Sequence, residues 1–150
     1  MITFEDIREI MRQMPSEDQK WLLADYTIDT VEELKGIQFR SIIKTEDGAG
    51  FIEGYNCKRI TKKCTEYGLF ILIGVTPGCR GKGISDKLVC ELIDFARKNG
   101  YKFLEWTVDE DNKYSLAAAK RNDFKALNHK KPYNLTLYIR WWRTCKTKYA

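Results

Sequence analysis

Gly74-Val75-Thr76-Pro77-Gly78-Cys79-Arg80-Gly81-Lys82-Gly83-Ile84 joins an apolar run to a helical pattern through a glycine-rich, cationic turn. Glycine has no β-carbon, so the backbone of such a turn can enter positive φ and aim several N–H groups at one point. The helix that follows adds the donors of its first turn and the positive end of its dipole, each worth about 0.3–1 kcal/mol toward an anion. A phosphate or diphosphate is the natural occupant. Upstream, Leu69 to Val75 is β-branched, aromatic and short, which predicts a largely buried strand. Downstream, Leu88, Val89, Leu92, Ile93, Phe95 and Ala96 recur with a 3.6-residue period, and Asn99-Gly100 supplies the stop.

Spacing separates the phosphate-binding families that use such a turn. A P-loop needs a glycine where Thr76 stands and a Ser or Thr after the lysine, where Gly83 stands. A dinucleotide fingerprint needs a third glycine at the position of Asp86. The remaining pattern, Val75-x-Pro77-x-x-Arg80-Gly81-x-Gly83-Ile84, resembles the acetyl-CoA diphosphate loop of the GNAT superfamily of N-acyltransferases. A second stretch, Val108-Asp109-Glu110-Asp111-Asn112-x-x-Ser115 with Phe124 twelve residues after Asn112, resembles the same family's following strand and helix. The resemblance covers roughly Gly48 to Trp142.

That resemblance implies a single α/β domain over residues 1–150, with a mixed, mostly antiparallel central sheet flanked by helices and two central strands that splay apart. It implies an acetyl-CoA-dependent N-acetyltransferase, in which an amine attacks the thioester directly. Ile73, Gly74 and Val75 would offer main-chain groups to the pantetheine arm. Arg80, Gly81, Lys82, Gly83, Ile84 and Ser85 would hold the diphosphate, and Asn112 would meet the cofactor near the pantetheine. The chain departs from the family at Ala119, where many members carry a Tyr that protonates the thiolate, and at Asp123, where a glycine usually precedes the aromatic. The central strand also lacks the family's frequent Glu. Tyr114 is the substitute acid. Glu105, Glu66 and Glu53 are the candidate bases, Glu105 by strand alternation facing opposite Trp106 and Val108. An acyl-CoA binder without transferase activity is the reading that Ala119 and the acid-free strand leave open.

A chain of 150 residues with 43% hydrophobic and 31% charged content is ordinary for one globular domain, large enough to bury roughly 70% of its unfolded surface. No apolar run is long enough to span a bilayer, and the charged helical repeat of residues 1–15 is unlike a signal or transit peptide, so a cytoplasmic location is expected. The five cysteines form no Cys-x-x-Cys pair and there is one histidine, so no metal site is expected and the thiols read as reduced. Cys79, in a cationic turn taken as exposed, is the one thiol whose surroundings favour a thiolate.

Thr3 with Asp6, Ser16 with Gln19 and Thr30 with Glu33 are helix-opening pairs, giving a helical N-terminal third. Ile37 to Lys44 and Ala49 to Tyr55 read as a hairpin around Glu46-Asp47-Gly48, followed by a polar loop from Asn56 to Thr65 that borders the acceptor. A strand at Phe103 to Val108, a helix near Lys113 to Arg121 and strands near Phe124 to Leu127 and Leu135 to Trp142 complete the sheet. From Lys125 onward the chain has lysines, arginines and aromatics but no acid. Single-stranded nucleic acid is the rival ligand for such a surface, but alternating Leu135, Leu137 and Ile139 make a packed strand the better reading. Trp141-Trp142 is a candidate homodimer contact.

Overall fold

The computed structural model describes residues 1–18, 36–126 and 133–141. Helix α1, Phe4–Arg12, opens with the expected capping box: the Thr3 hydroxyl accepts from the Asp6 N–H while the Asp6 carboxylate accepts from the Thr3 N–H. The expected helix at Thr30 and Glu33 lies outside the described residues.

Among the described residues, six strands form one sheet in the order β1-β2-β3-β4-β6-β5. They are β1 Ile37–Thr45, β2 Gly48–Ile60, β3 Thr65–Val75, β4 Phe103–Val108, β5 Lys125–Ala126 and β6 Tyr133–Tyr138. All neighbours are antiparallel except β3 and β4, which are parallel. Helices α2, Ile84–Lys98, and α3, Lys113–Arg121, cover one face. Their apolar stripes meet Ile52, Leu69, Ile71, Leu104, Trp106, Val108, Leu135 and Leu137 in the larger core. The opposite face is covered by α1, whose Ile7, Ile10 and Met11 pack with Met14 on Phe51 and Leu72. Strand alternation sends successive side chains into these two cores, which is why β3 reads as continuously apolar.

The expected loop from Asn56 to Thr65 is mostly strand. Asn56 to Ile60 pair with Leu69 to Thr65, and only a short turn, closed by Thr61 N–H donating to the Cys64 carbonyl at 2.9 Å, connects them. The main chain pairs whatever the side chains are, so polarity marked the exposed end of a hairpin and not a loop. The last strand is shorter than expected. It ends at Tyr138 and passes into a 3₁₀ turn, Ile139–Trp141. Cys57, Cys64 and Cys79 are free thiols, but Cys90 is disulfide-bonded, against the expectation that all thiols are reduced. Sequence spacing alone does not reveal which thiols a fold brings together. Among the described residues, no helix is long and apolar enough to cross a membrane.

Candidate active site

β3 pairs with β2 along its whole length, from Ile60↔Thr65 to Gly50↔Val75. On its other edge the ladder to β4 has three rungs, Gly68↔Phe103, Leu69↔Leu104 and Phe70↔Glu105, and then stops. β4 meanwhile stays paired with β6 as far as Val108↔Tyr133. Two well-held strands therefore diverge, leaving the facing edges of Ile71–Val75 and Trp106–Val108 without strand partners. Buried N–H and C=O groups need partners, so this edge is a ready template for an extended, amide-bearing ligand.

The divergence opens a narrow cleft at the free edge of β3. Ile73, Gly74 and Val75 line it from β3, Trp106 from β4, Ser85 from α2, and Asn112, Tyr114, Ser115 and Ala118 from the start of α3. Met14, Asp18 and Arg80 complete the lining. The expected Ile73, Gly74, Val75, Arg80, Ser85, Asn112 and Tyr114 thus share one cleft. Met14, Asp18, Trp106 and Ala118 were not anticipated from the sequence. Each is brought in by tertiary packing, and only the small size of Ala118, on the cleft side of α3, offered a signal.

At the mouth, Pro77–Cys79 make a 3₁₀ turn, and Gly81 and Gly83 adopt φ of 78° and 76°. Left-handed backbone of this kind is where glycine is needed. Gly83 is the N-cap of α2 and supplies no side-chain cap, so the first-turn donors of that helix are left to an outside acceptor. Arg80 is held by its Nε, which donates to the Val75 carbonyl at 3.1 Å, and by the Tyr114 ring, 5.1 Å from the guanidinium. Lys82 pairs with Asp47 across the turn, and the hydrogen bond that its ammonium donates to that carboxylate raises its pKa. Asn112 caps α3: its side-chain oxygen accepts from the Ser115 N–H at 3.2 Å. Tyr114 donates to the buried Ser85 hydroxyl at 3.3 Å, tying α3 to α2. Asp86 reinforces that tie by accepting from Asn122 at 3.0 Å. Phe124 closes the wall behind, edge-on to Trp106 with centroids 5.5 Å apart. Asp123 before it has φ of 66°, so the position favours glycine even though the chain has aspartate.

The acids separate by place. Glu105 is the last residue of β4 paired with β3, so it stands where the two strands part, on the sheet face away from α2. It lies outside the residues lining the cleft, with its carboxylate 3.8 Å from Arg59, and both side chains are about a quarter exposed. Arg59 also has its guanidinium 4.3 Å from the centroid of the Phe103 ring and donates to Thr136 and Tyr138. Glu53 is fully buried, one oxygen on Arg40 Nε at 2.7 Å and the other accepting from Tyr55 at 3.2 Å. Burial pushes its carboxyl up to about 7, and the Tyr55 hydrogen bond draws it down. Glu66 sits at the other end of β3, opposite Arg59. Cys79 is buried against the Thr45 hydroxyl, not exposed as expected, because the 3₁₀ turn folds it under the hairpin. Burial pushes the Cys57 thiol up to about 12, with Glu105 adding to the rise and Arg59 opposing it.

A parallel pair that opens beside a glycine-rich helix start defines a fold built to hold a long, phosphate-bearing cofactor through its sheet. Residues 4–124 match the model of the acetyltransferase (GNAT) family, and the chain belongs to that family. It is similar to L-2,4-diaminobutyric acid acetyltransferase of Vibrio parahaemolyticus serotype O3:K6 (strain RIMD 2210633), 36% identical over 84 residues. That match covers 55% of this chain and 44% of the relative, so the chain spans less than half of the relative's length. Among solved structures, the IAA acetyltransferase from Bacillus cereus ATCC 14579 superposes with a TM-score of 0.58 at 18% identity, covering 78% of this chain and 88% of that one. Arabidopsis thaliana NAA60 in complex with acetyl-CoA superposes with a TM-score of 0.51 at 16% identity, covering 61% and 65%. At such identities these structures share the fold.

Proposed function

We propose that this chain binds acetyl-CoA in the cleft between β3 and β4 and transfers the acetyl group to a primary amine by direct attack. The observation that carries this is the three-rung ladder: β3 keeps its edge free from Ile71 to Val75 directly upstream of the glycine turn. The pantetheine amides would pair with Ile73, Gly74 and Val75. The diphosphate would lie on the N–H groups of Gly81 through Ser85, with Arg80 and Lys82 neutralising its charge and Asn112 flanking the arm.

In the reaction the amine lone pair attacks the thioester carbonyl, the C–S bond breaks, and coenzyme A leaves as a thiolate. An amine of pKa about 10 is mostly protonated at neutral pH, so a proton must first be removed. Glu105, at the point where the strands part, is the acceptor of that proton; Tyr114 gives its proton to the thiolate and regains one from the proton that the newly acylated nitrogen loses. Holding amine and thioester in line supplies about 7 kcal/mol of the barrier, which lets a single carboxylate suffice. The diaminobutyric acid relative supports a small amine-bearing acceptor.

The test is release of free thiol from acetyl-CoA across a panel of diamines, amino acids and peptide N-termini, with Glu105→Gln and Tyr114→Phe beside the wild type. Thiol release with at least one amine, reduced in the variants, is expected. Tight acetyl-CoA binding without release on any amine would make the protein an acyl-CoA binder instead.

A further inference from the structure

The cations of the glycine turn already hold two carboxylates of this chain. Asp47 sits on Lys82, and Asp18 sits on Arg80 with Oδ2 and the guanidinium 2.5 Å apart. The two pairs differ in their surroundings. Lys82 and Asp47 are 46% and 59% exposed, so water and salt screen them. Asp18 is 16% exposed and lines the cleft itself, beside Gly74, Val75 and Asn112. Arg80 does not depend on Asp18 for its orientation, because Val75 and Tyr114 hold it from other sides. Its charge would stay aimed at the cleft if Asp18 left.

The stretch carrying Asp18 also covers β3. Met14, 4% exposed, has its terminal methyl within 3.1 Å of where a β-carbon at position 74 would stand. Met14 and Asp18 therefore close over Gly74 and Arg80 from the α1 side, while Ser85, Trp106 and Tyr114 line the cleft from the other.

We propose that the Met14–Asp18 segment is an autoinhibitory strap in which Asp18 competes with the cofactor's diphosphate for Arg80. Two anions cannot share one guanidinium in a partly buried cleft without mutual repulsion, so acetyl-CoA seats fully only as Asp18 withdraws. Binding of the cofactor thereby releases the Met14–Asp18 segment. This rests on the acetyl-CoA reading above.

The proposal is tested by calorimetry with acetyl-CoA and with S-acetyl-pantetheine, which lacks the diphosphate, on wild type, Asp18→Asn, Asp18→Ala, Asp47→Asn and the Asp18→Asn/Arg80→Ala pair. Asp18→Asn and Asp18→Ala should tighten acetyl-CoA about 5–10-fold, a typical coupling between sites, and leave S-acetyl-pantetheine unchanged. Asp47→Asn should change either ligand less than about twofold, and the gain from Asp18→Asn should vanish in the Arg80→Ala background. Hydrogen exchange across residues 8–18 should rise in Asp18→Asn, and in wild type on adding inorganic pyrophosphate. Wild-type binding of acetyl-CoA that Asp18→Asn and Asp18→Ala leave equal or weaker overturns the strap alone. Absence of acetyl-CoA binding in every variant overturns the cofactor reading and the strap with it.

Discussion

The two ends of β3 obey different rules. From Thr65 to Phe70 it sits in an ordinary sheet, paired with β2 throughout and with β4 from Gly68, and its rungs satisfy the main chain internally. From Ile71 to Val75 one edge is withheld from pairing, though the side chains there are apolar and buried or half-buried. A strand can therefore serve the core through its side chains and a ligand through its backbone at the same time. The paired end tolerates polar residues such as Glu66, because there the backbone does the holding.

Gly83→Glu strikes the open end hardest. A side chain forced into the left-handed N-cap and a carboxylate facing the diphosphate should weaken acetyl-CoA binding by about 100-fold or more, with the circular dichroism of the fold preserved. Equal affinity by calorimetry would place the diphosphate elsewhere. Glu105→Gln, at the last rung, should lower kcat by about 100-fold and leave acetyl-CoA affinity unchanged. A uniform loss of affinity would make Glu105 part of the sheet's packing instead.

The next effect belongs to β2, whose Glu53 pairs with Leu72 on the closed edge of β3. Burial raises the Glu53 carboxyl from 4.5 to about 7, so the folded state holds that proton more tightly than the unfolded chain does. Its contribution to stability is then whole below the unfolded value and lost as pH rises through about 7. The wild-type Tm should fall relative to that of Glu53→Gln between about pH 5 and 8. A difference that stays constant would mean that the ion pair with Arg40 keeps the carboxylate charged throughout. The smallest effect is expected at Asp123→Gly, where relieving a left-handed aspartate should raise stability by about 1 kcal/mol, read from thermal melts. No rise would mean that the Asp123 side chain repays its own strain.

Much of the closed half was legible because it follows periodicity. The 3.6-residue stripe of α2, the capping box at Thr3 and the apolar run of β3 are local patterns set by side-chain geometry. Asn56 to Ile60 misled for the same reason: polarity reports exposure, whereas pairing depends on where the neighbouring strand lies. In the site, Gly81 and Gly83 could be read because left-handed backbone selects glycine. Glu105 could be placed on a face by alternation, but its position at the last rung could not, since nothing in Phe103–Val108 says where the partner strand departs.

The amino-acid order alone determined the strand, the glycine turn and the helix that follows it, because chirality and capping act over a few residues. The tertiary structure decided that β3 and β4 separate after three rungs, that Trp106, Met14 and Asp18 wall the opening, and that Cys79 is buried while Glu53 is locked to Arg40. Those outcomes depend on contacts between residues tens of positions apart, where packing and the satisfaction of backbone groups across the whole sheet set the answer.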